Sequence, residues 1–418
     1  MTNDIILLIA NALLYICVFI IYQNKKKSFD LGSVVLLFWV VISIVAIDLF
    51  NKPPGWAPYR EMTIFPFIYF FLSFLIVSLP LLLHDYNNGT KIEMPSGKRM
   101  DIISYGLILL HLVCLLFLWA KGSLTPSALF DVENILENYA NSSEIRTNFL
   151  MEIVSWVRFL VPIFFMYNYT EHKKLLSWGM AFCFLISFIC ALSTSSRLDM
   201  VRLVFSIPFV IFIFKDNLSK QQYRMISRMF LSIALALGGA LFAVTLARFS
   251  NSRFDIGYYL EFYFAQCILY FNGYGLAAGG IRYGDKVFPI LKRFLGLDWI
   301  KGTDINSRYW NLDFDDTLFV SFIGEYTIDF GVVAIMLFVV ISIFIVYVCK
   351  KRNGKYAFIQ ILILSVPYQL LTIGFSVNPI SERYLHIIFL IYLFLYIKFP
   401  LKNRKGKVVS LEKDRILS

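Results

Sequence analysis

The sequence predicts an all-α polytopic membrane protein of about eleven spans, and three observations carry that prediction. Of the 418 residues, 58% are hydrophobic and only 16% are charged, with a mean hydropathy of +0.68. An average soluble domain holds about 45–50% apolar and about 25% charged residues, so this chain has too little polar surface to cover a water-soluble fold. The third observation is that apolar runs of about 18–22 residues recur from end to end, each able to cross a hydrocarbon core of ~30 Å. Length alone would suit two or three soluble domains. The recurring runs instead predict one membrane bundle over residues 1–418.

The first run, Ile5–Tyr22, follows Asp4 in place of a basic leader and has no small-residue cleavage site, so it reads as a span and not as a signal. The spans predicted in order are residues 4–22, 31–50, 62–83, 102–120, 150–169, 175–194, 198–214, 229–247, 332–349, 356–375 and 384–399. This odd count places the termini on opposite sides. Lys and Arg near span ends are retained in the cytoplasm, and Lys25 to Lys27, Lys98-Arg99, Lys173-Lys174, Lys215 to Arg228, Lys350 to Arg352 and the basic tail 400–418 all fall on one side. That side is cytoplasmic and the N-terminus is outside. The net charge of +11 is thereby explained without nucleic acid as a partner.

Two long segments lie on the outer side, residues 121–149 and 248–331. Within the second, Ile256 to Gly280 is rich in Tyr and Phe but carries Glu261, Gln266 and several glycines, which suits a re-entrant or interfacial helix better than a lipid-facing span. The alternative is a thirteen-span chain in which this stretch and Thr317 to Phe330 both cross. The six cysteines show no CxxC pair, and five fall within or at the ends of apolar runs. That pattern indicates small apolar packing residues, with neither a disulfide framework nor a zinc site.

Ionisable groups at the outer surface mark the candidate site, because a charge in a span is costly and usually lines a cavity. The first group is Ser193 to Arg202, where Asp199 and Arg202 are three apart and share a helical face, and Arg197 stands beside serine hydroxyls and helix N-terminal amides that suit an anion. Arginines that only snorkel to the surface are the plainer reading. The second group runs from Arg308, Tyr309, Trp310 and Asp313 through Asp315, Asp316 and Thr317 to Glu325 and Asp329. Aromatic faces beside carboxylates suit sugar rings, and an interfacial aromatic belt is the alternative. The adjacent Asp315 and Asp316 are a weak divalent-metal signal. A third group, Glu382, Arg383 and His386, sits at the last span, although a lone histidine at a helix end is commonly structural. Arg146, Arg158, Arg248, Arg253 and Arg282 extend the anion-attracting surface. The Gly273 to Gly280 run follows no strand and is not a dinucleotide fingerprint.

In these features the chain resembles the bacterial O-antigen polymerases, the Wzy-type membrane enzymes. The likeness covers most of the chain as architecture and is specific at two places, the Ser195-Ser196-Arg197 turn and the run Asp316-Thr317, Gly324-Glu325-Tyr326, Asp329-Phe330-Gly331. It implies a GT-C-like glycosyltransferase of the bacterial inner membrane whose periplasmic site joins oligosaccharide repeat units carried on a polyprenyl diphosphate. It implies no nucleotide sugar, no metal and no other cofactor, and a chain-length regulator as a protein partner. On this resemblance Arg197, Arg202, Arg308 and Arg383 meet the diphosphate and donor and Glu325 or Asp316 is the general base, with Arg248, Arg282, Tyr309, Trp310, Asp329 and His386 binding the substrate. The O-antigen ligases share this architecture, so the motifs fit polymerase and ligase alike. A polysaccharide flippase is the alternative from another class, but transporters repeat their halves around mid-membrane sites, whereas the polar groups here gather at one face.

Overall fold

A computed structural model of the chain describes residues 2–55, 57–84, 91–95, 98–124, 149–194, 196–249, 255–298, 305–314, 318–351, 355–376 and 384–398. A helix stands on each of the eleven segments expected to be apolar spans. These are α1 (Thr2–Lys26), α2 (Leu31–Phe50), α3 (Ile64–Leu82), α4 (Lys98–Ala120), the pair α5 (Phe149–Val157) and α6 (Leu160–Thr170), α7 (Lys174–Ser193), α8 (Arg197–Phe214) and α9 (Lys220–Phe249). After them come α10 (Ile256–Tyr270), continued by one π-helical turn, and the short α11 (Pro289–Phe294), α12 (Ile305–Arg308) and α13 (Ser321–Phe330). The chain closes with α14 (Ala334–Val348), α15 (Phe358–Ile373) and α16 (Tyr384–Lys398). The protein is thus a multi-pass helical membrane protein. Among the described residues, seven helical stretches are long and apolar enough to cross a membrane, and an eighth is added if α5 and α6, bent by 57°, form one span. By length and composition α8 falls outside that set because Arg197, Asp199 and Arg202 crowd its first turns, and α15 because it has only 16 residues.

The contacts between connections sort into two polar layers. In the first, the two-residue strands β1 (Ile92–Glu93) and β2 (Tyr356–Ala357) pair in parallel, which joins the connection after α3 to the one after α14. Asn217, after α8, brackets the backbone of Ile92 with bonds of 2.9 and 3.0 Å. Lys173, after α6, pairs with Asp101 at the start of α4, and Tyr167 donates to the Pro95 carbonyl at 2.8 Å. Asp30 ends the first connection by capping α2: its carboxylate accepts from the Ser33 amide at 2.9 Å and from the Tyr22 hydroxyl at 2.8 Å.

The second layer joins the opposite helix ends. Asp4 accepts from the Met62 amide at 3.0 Å, bringing the start of α1 to the connection between α2 and α3. The same connection receives α10 along its length. Tyr258 donates to Pro53 O at 3.0 Å, Lys52 pairs with Glu261, Tyr270 bonds both backbone groups of Ala57, and Asn272 brackets Thr63 at 2.9–3.0 Å. Both ends of α10 therefore meet one short segment, while between them the Phe264 ring lies 6.2 Å from Phe38 of α2, so the helix is set into the bundle against α2.

The stretch Ser321–Val348 is not one straight helix either. A straight helix would separate residues 322 and 338 by about 24 Å, yet the rings of Phe322 and Phe338 are 6.0 Å apart, and Tyr326 lies 5.1 Å from Phe338. The fold-back occurs at Gly331, whose φ of 66° and ψ of −159° are open to glycine alone. Alanine there is expected to cost about 1–3 kcal/mol, so Gly331→Ala should unfold several degrees earlier than wild type in a thermal scan in detergent. Gly106→Ala, on α4 with open space around it, should lose nothing. Equal midpoints for wild type and Gly331→Ala would remove Gly331 as the cause of the fold-back.

Candidate functional site

The first arginine group forms where a helix is broken. Ser196 caps α8 through its hydroxyl, which accepts from the Asp199 amide, and this turns Asp199 and Arg202 toward α5. Arg158 stands at the break between α5 and α6, only 2% exposed, and pairs with Asp199. Arg202 reaches the same carboxylate oxygen at 3.2 Å, and Ser155 donates to it at 3.1 Å while accepting from Arg202 at 3.3 Å. Two guanidiniums thus share one carboxylate oxygen. Ionisable groups gathered in this way inside a helical bundle mark a candidate site.

Arg197 leaves this trio. Its guanidinium lies 4.3 Å from the centre of the Tyr263 ring and 5.1 Å from that of Phe249, and it donates to the Tyr263 hydroxyl at 2.9 Å. The Tyr263 ring is in turn 6.0 Å from Phe319, just before α13. Through Tyr263 of α10, the turn that carries Arg197 is brought next to the helix that carries Glu325, which is half-buried, and Asp329 one turn further on.

Asp329 is fully buried and paired with Arg282 at 2.7 Å, the arginine being 1% exposed. Its other oxygen accepts from the amides of Lys286 at 3.1 Å and Val287 at 2.7 Å. The chain bends around this carboxylate at Gly284, with φ of 82° and the Phe330 ring 3.0 Å from where a Cβ would sit. Asp285, on the same bend, is a second buried hub. It pairs with Lys292 and with Arg308 at 3.3 Å, and it accepts from Tyr309 at 2.6 Å. Burial, together with the carboxylate of Asp285, holds the Tyr309 phenol well above its ordinary range, so it stays a donor at any physiological pH. Arg308 also pairs with Asp298.

The residues expected from sequence are spread over this layer. Arg308, expected at a diphosphate, meets the carboxylates of Asp285 and Asp298. Asp329 and Arg282, expected to bind the substrate, face each other out of water. Trp310 points to solvent at 82% exposure. Asp316 and Arg383 lie outside the described residues, as do the side chains of Arg248 and His386, whose backbones belong to α9 and α16. Sequence reading missed Tyr263, Asp285, and Arg60, which packs 4.0 Å from the Tyr274 ring and pairs with Asp313. Arg158 had been placed only in the general anion-attracting set.

Below α11 the helices leave an apolar cavity of about 420 Å³, lined by Leu291, Phe294, Tyr326, Phe338, Ile345 and Leu370 among others. It passes between α14 and α15 beneath the layer that holds Lys292 and Asp285. Among the described residues no three His, Cys, Asp or Glu side chains converge as a metal ion would need. Fold and site together define a multi-pass helical membrane protein with a polar layer of ion pairs over an apolar cavity. The sequence matches no family model, no curated protein and no solved structure.

Removing one partner of a buried ion pair leaves the other charge unpaired, at a cost of about 3–5 kcal/mol. Asp329→Ala should therefore sharply reduce the fraction of detergent-solubilised protein that elutes as a single peak after mild heating. Arg282→Met combined with Asp329→Leu should recover part of the loss, the rest being the two amides that Asp329 satisfied. Asp298→Ala, at an exposed ion pair, should elute as wild type. Equal heat tolerance of Asp329→Ala and Asp298→Ala would show that the buried pair does not hold the loop.

Proposed function

We propose that the chain is a membrane glycosyltransferase that polymerises oligosaccharide repeat units carried on a polyprenyl diphosphate into O-antigen or a related surface polysaccharide. The observation that carries the reading is that the second polar layer gathers arginines from separate elements, while an apolar cavity opens under α11 at the same layer. A lipid-linked sugar needs these two surroundings side by side. Its isoprenoid chain lies in an apolar furrow inside the bilayer, and its diphosphate needs fixed cations at the edge of the water.

The arrangement of the layers supports eleven spans with the second layer outside. Lys25 to Lys27, Lys98, Lys173, Lys215 and Lys350-Lys351 all sit at helix ends of the first layer, which the retention of basic residues makes cytoplasmic. Both ends of α10 meet one connection and α13 folds back at Gly331, which supports counting neither as a crossing span. The arginine groups of the candidate site gather in the second layer, which also favours an enzyme over a flippase, in which substrate groups gather near mid-membrane.

In the reaction, an acceptor sugar hydroxyl attacks the anomeric carbon of the lipid-linked donor. The new glycosidic bond forms as the bond to the diphosphate breaks, the hydroxyl proton passes to a carboxylate, and the diphosphate leaves with added negative charge. Arginine stabilises that charge best, since its guanidinium stays ionised and binds phosphate oxygens in a fork. The group of Arg158 and Arg202 around Asp199, with Arg197 beside it, is assigned this part. Glu325 or Asp316 is the base, and Arg383 remains with the diphosphate group. Arg282 and Arg308, being paired, hold the loop in shape. A ligase would run the same chemistry onto a different acceptor and differs only in its product.

Arg197→Lys tests the assignment. Lysine keeps the charge and still reaches the rings of Tyr263 and Phe249, but it offers a compact ammonium in place of a planar fork. One well-placed donor in an active site contributes about 3 kcal/mol to the transition state, so polymer synthesis should fall on the order of a hundredfold at matched protein level. Arg293→Lys on exposed α11 should leave the polysaccharide ladder unchanged. A normal ladder from Arg197→Lys would remove Arg197 from the site.

A further inference from the structure

The α4–α7 seam holds a group of sulfurs that glycosyl transfer does not use. The two helices run side by side in the same direction at a constant offset of 76 residues. Cys183 Sγ meets Leu107 O at 3.9 Å, His111 Nε2 meets Ser187 Oγ at 3.0 Å, and Cys114 Sγ meets Cys190 Sγ at 3.6 Å. Positions 107, 111 and 114 are spaced by four and then three, the spacing of a coiled-coil seam, so Cys114 and Cys190 occupy one layer and face each other across it. Met151 of α5 closes the group, accepting from the Cys114 thiol at 3.3 Å. Both cysteines are fully buried. Cys183, Cys267 and Cys349 each approach a backbone carbonyl instead, and Cys17 stands at the exposed surface of α1.

We propose that Cys114 and Cys190 are joined by a disulfide in the mature protein. Cys114 lies six residues and Cys190 three residues from the ends of their helices at the second layer, which at a rise of ~1.5 Å per residue puts both in the outer part of the membrane. The inference rests on the sidedness proposed above, which exposes that layer to a compartment where disulfides persist, and not on the glycosyl transfer. The two thiols react with the disulfide of an outer-compartment thiol oxidoreductase. One thiolate attacks it to give a mixed disulfide, the second displaces the carrier, and the carrier leaves as a dithiol with the two electrons and two protons. The exchange precedes closure of the α4–α7 seam, since both sulfurs are buried afterwards. Bringing the sulfurs from contact to a bond of about 2.05 Å needs a movement of about 1.5 Å.

The link has a place in the architecture. α7 runs directly into the Ser193–Arg197 turn, so a bond at Cys190 anchors the base of the turn that presents Arg197. Met151 lies one helical turn before Ser155, which bridges Asp199 and Arg202. The spacing of cysteines along the sequence gave no sign of this pair.

Thiol counting on the full-length protein tests the proposal. Membranes are quenched in acid, denatured without reductant, alkylated with N-ethylmaleimide and mapped by mass spectrometry. Four of the six cysteines should be labelled, with the Cys114 and Cys190 peptides joined, and prior reduction with a phosphine should bring the count to six. Six labels without reductant, or a bond between any other two cysteines, would overturn it. A parallel arm labels Leu297→Cys, exposed in the second layer, with an impermeant maleimide on intact cells. Labelling there together with six free thiols sinks the disulfide alone. Labelling of position 297 only after the membrane is opened sinks the sidedness, and the disulfide with it.

Discussion

Arg282 and Asp329 meet at 2.7 Å with neither more than 1% exposed, and the second polar layer is organised around that contact. A buried pair of this kind is weak evidence for stability, since desolvation offsets much of the attraction. Its effect here is registry. Asp329 gathers Arg282 and two successive amides onto α13, and the bend at Gly284 then delivers Asp285 to Lys292, Arg308 and Tyr309. That fixes α11, and α11 roofs the apolar cavity. Without Gly331, α13 would continue into α14 and Asp329 would not face the loop at all.

The same constraint explains why the other charges lie where they do. Hydrocarbon offers no hydrogen bonds, so irregular backbone and ionised groups persist at membrane depth only when buried against one another. The break between α5 and α6 places Arg158 against Asp199, and the cap of α8 by Ser196 aims Asp199 back. Arg202 joins the same carboxylate, so the α5–α8 group, proposed to meet an anion, draws two arginines from separate elements onto one oxygen, whereas Arg282 and Arg308 meet carboxylates of the loop.

Hydropathy made the helices legible: a helix occupies every segment read as a span, and α2 begins and ends where the apolar run does, because Asp30 and Asn51 bound it. The pairing of Asp199 with Arg202 was legible too, since residues three apart share a helix face. What failed to show was every interaction of long reach. Arg158 and Asp199 come from different helices, Arg282 and Asp329 are separated by 47 residues, and no periodicity connects them. Nor did residue type reveal that Asp285 and Asp298 meet Arg308, or that Trp310 stands exposed. The two-residue pairing of β1 with β2 is too short to leave any alternation in the sequence.

The central claim is that this chain lengthens a lipid-linked saccharide on the outer face of the membrane. The most direct measurement is the polysaccharide and the polyprenyl-linked saccharide of a strain lacking the protein, resolved on a gel and restored by the wild-type chain. The account predicts surface carrier capped with a single repeat unit and no ladder, with the ladder returning on complementation. Unaltered polymer would contradict it. So would a carrier with no repeat unit, as for a ligase, or lipid-linked units protected on the inner face, as for a flippase.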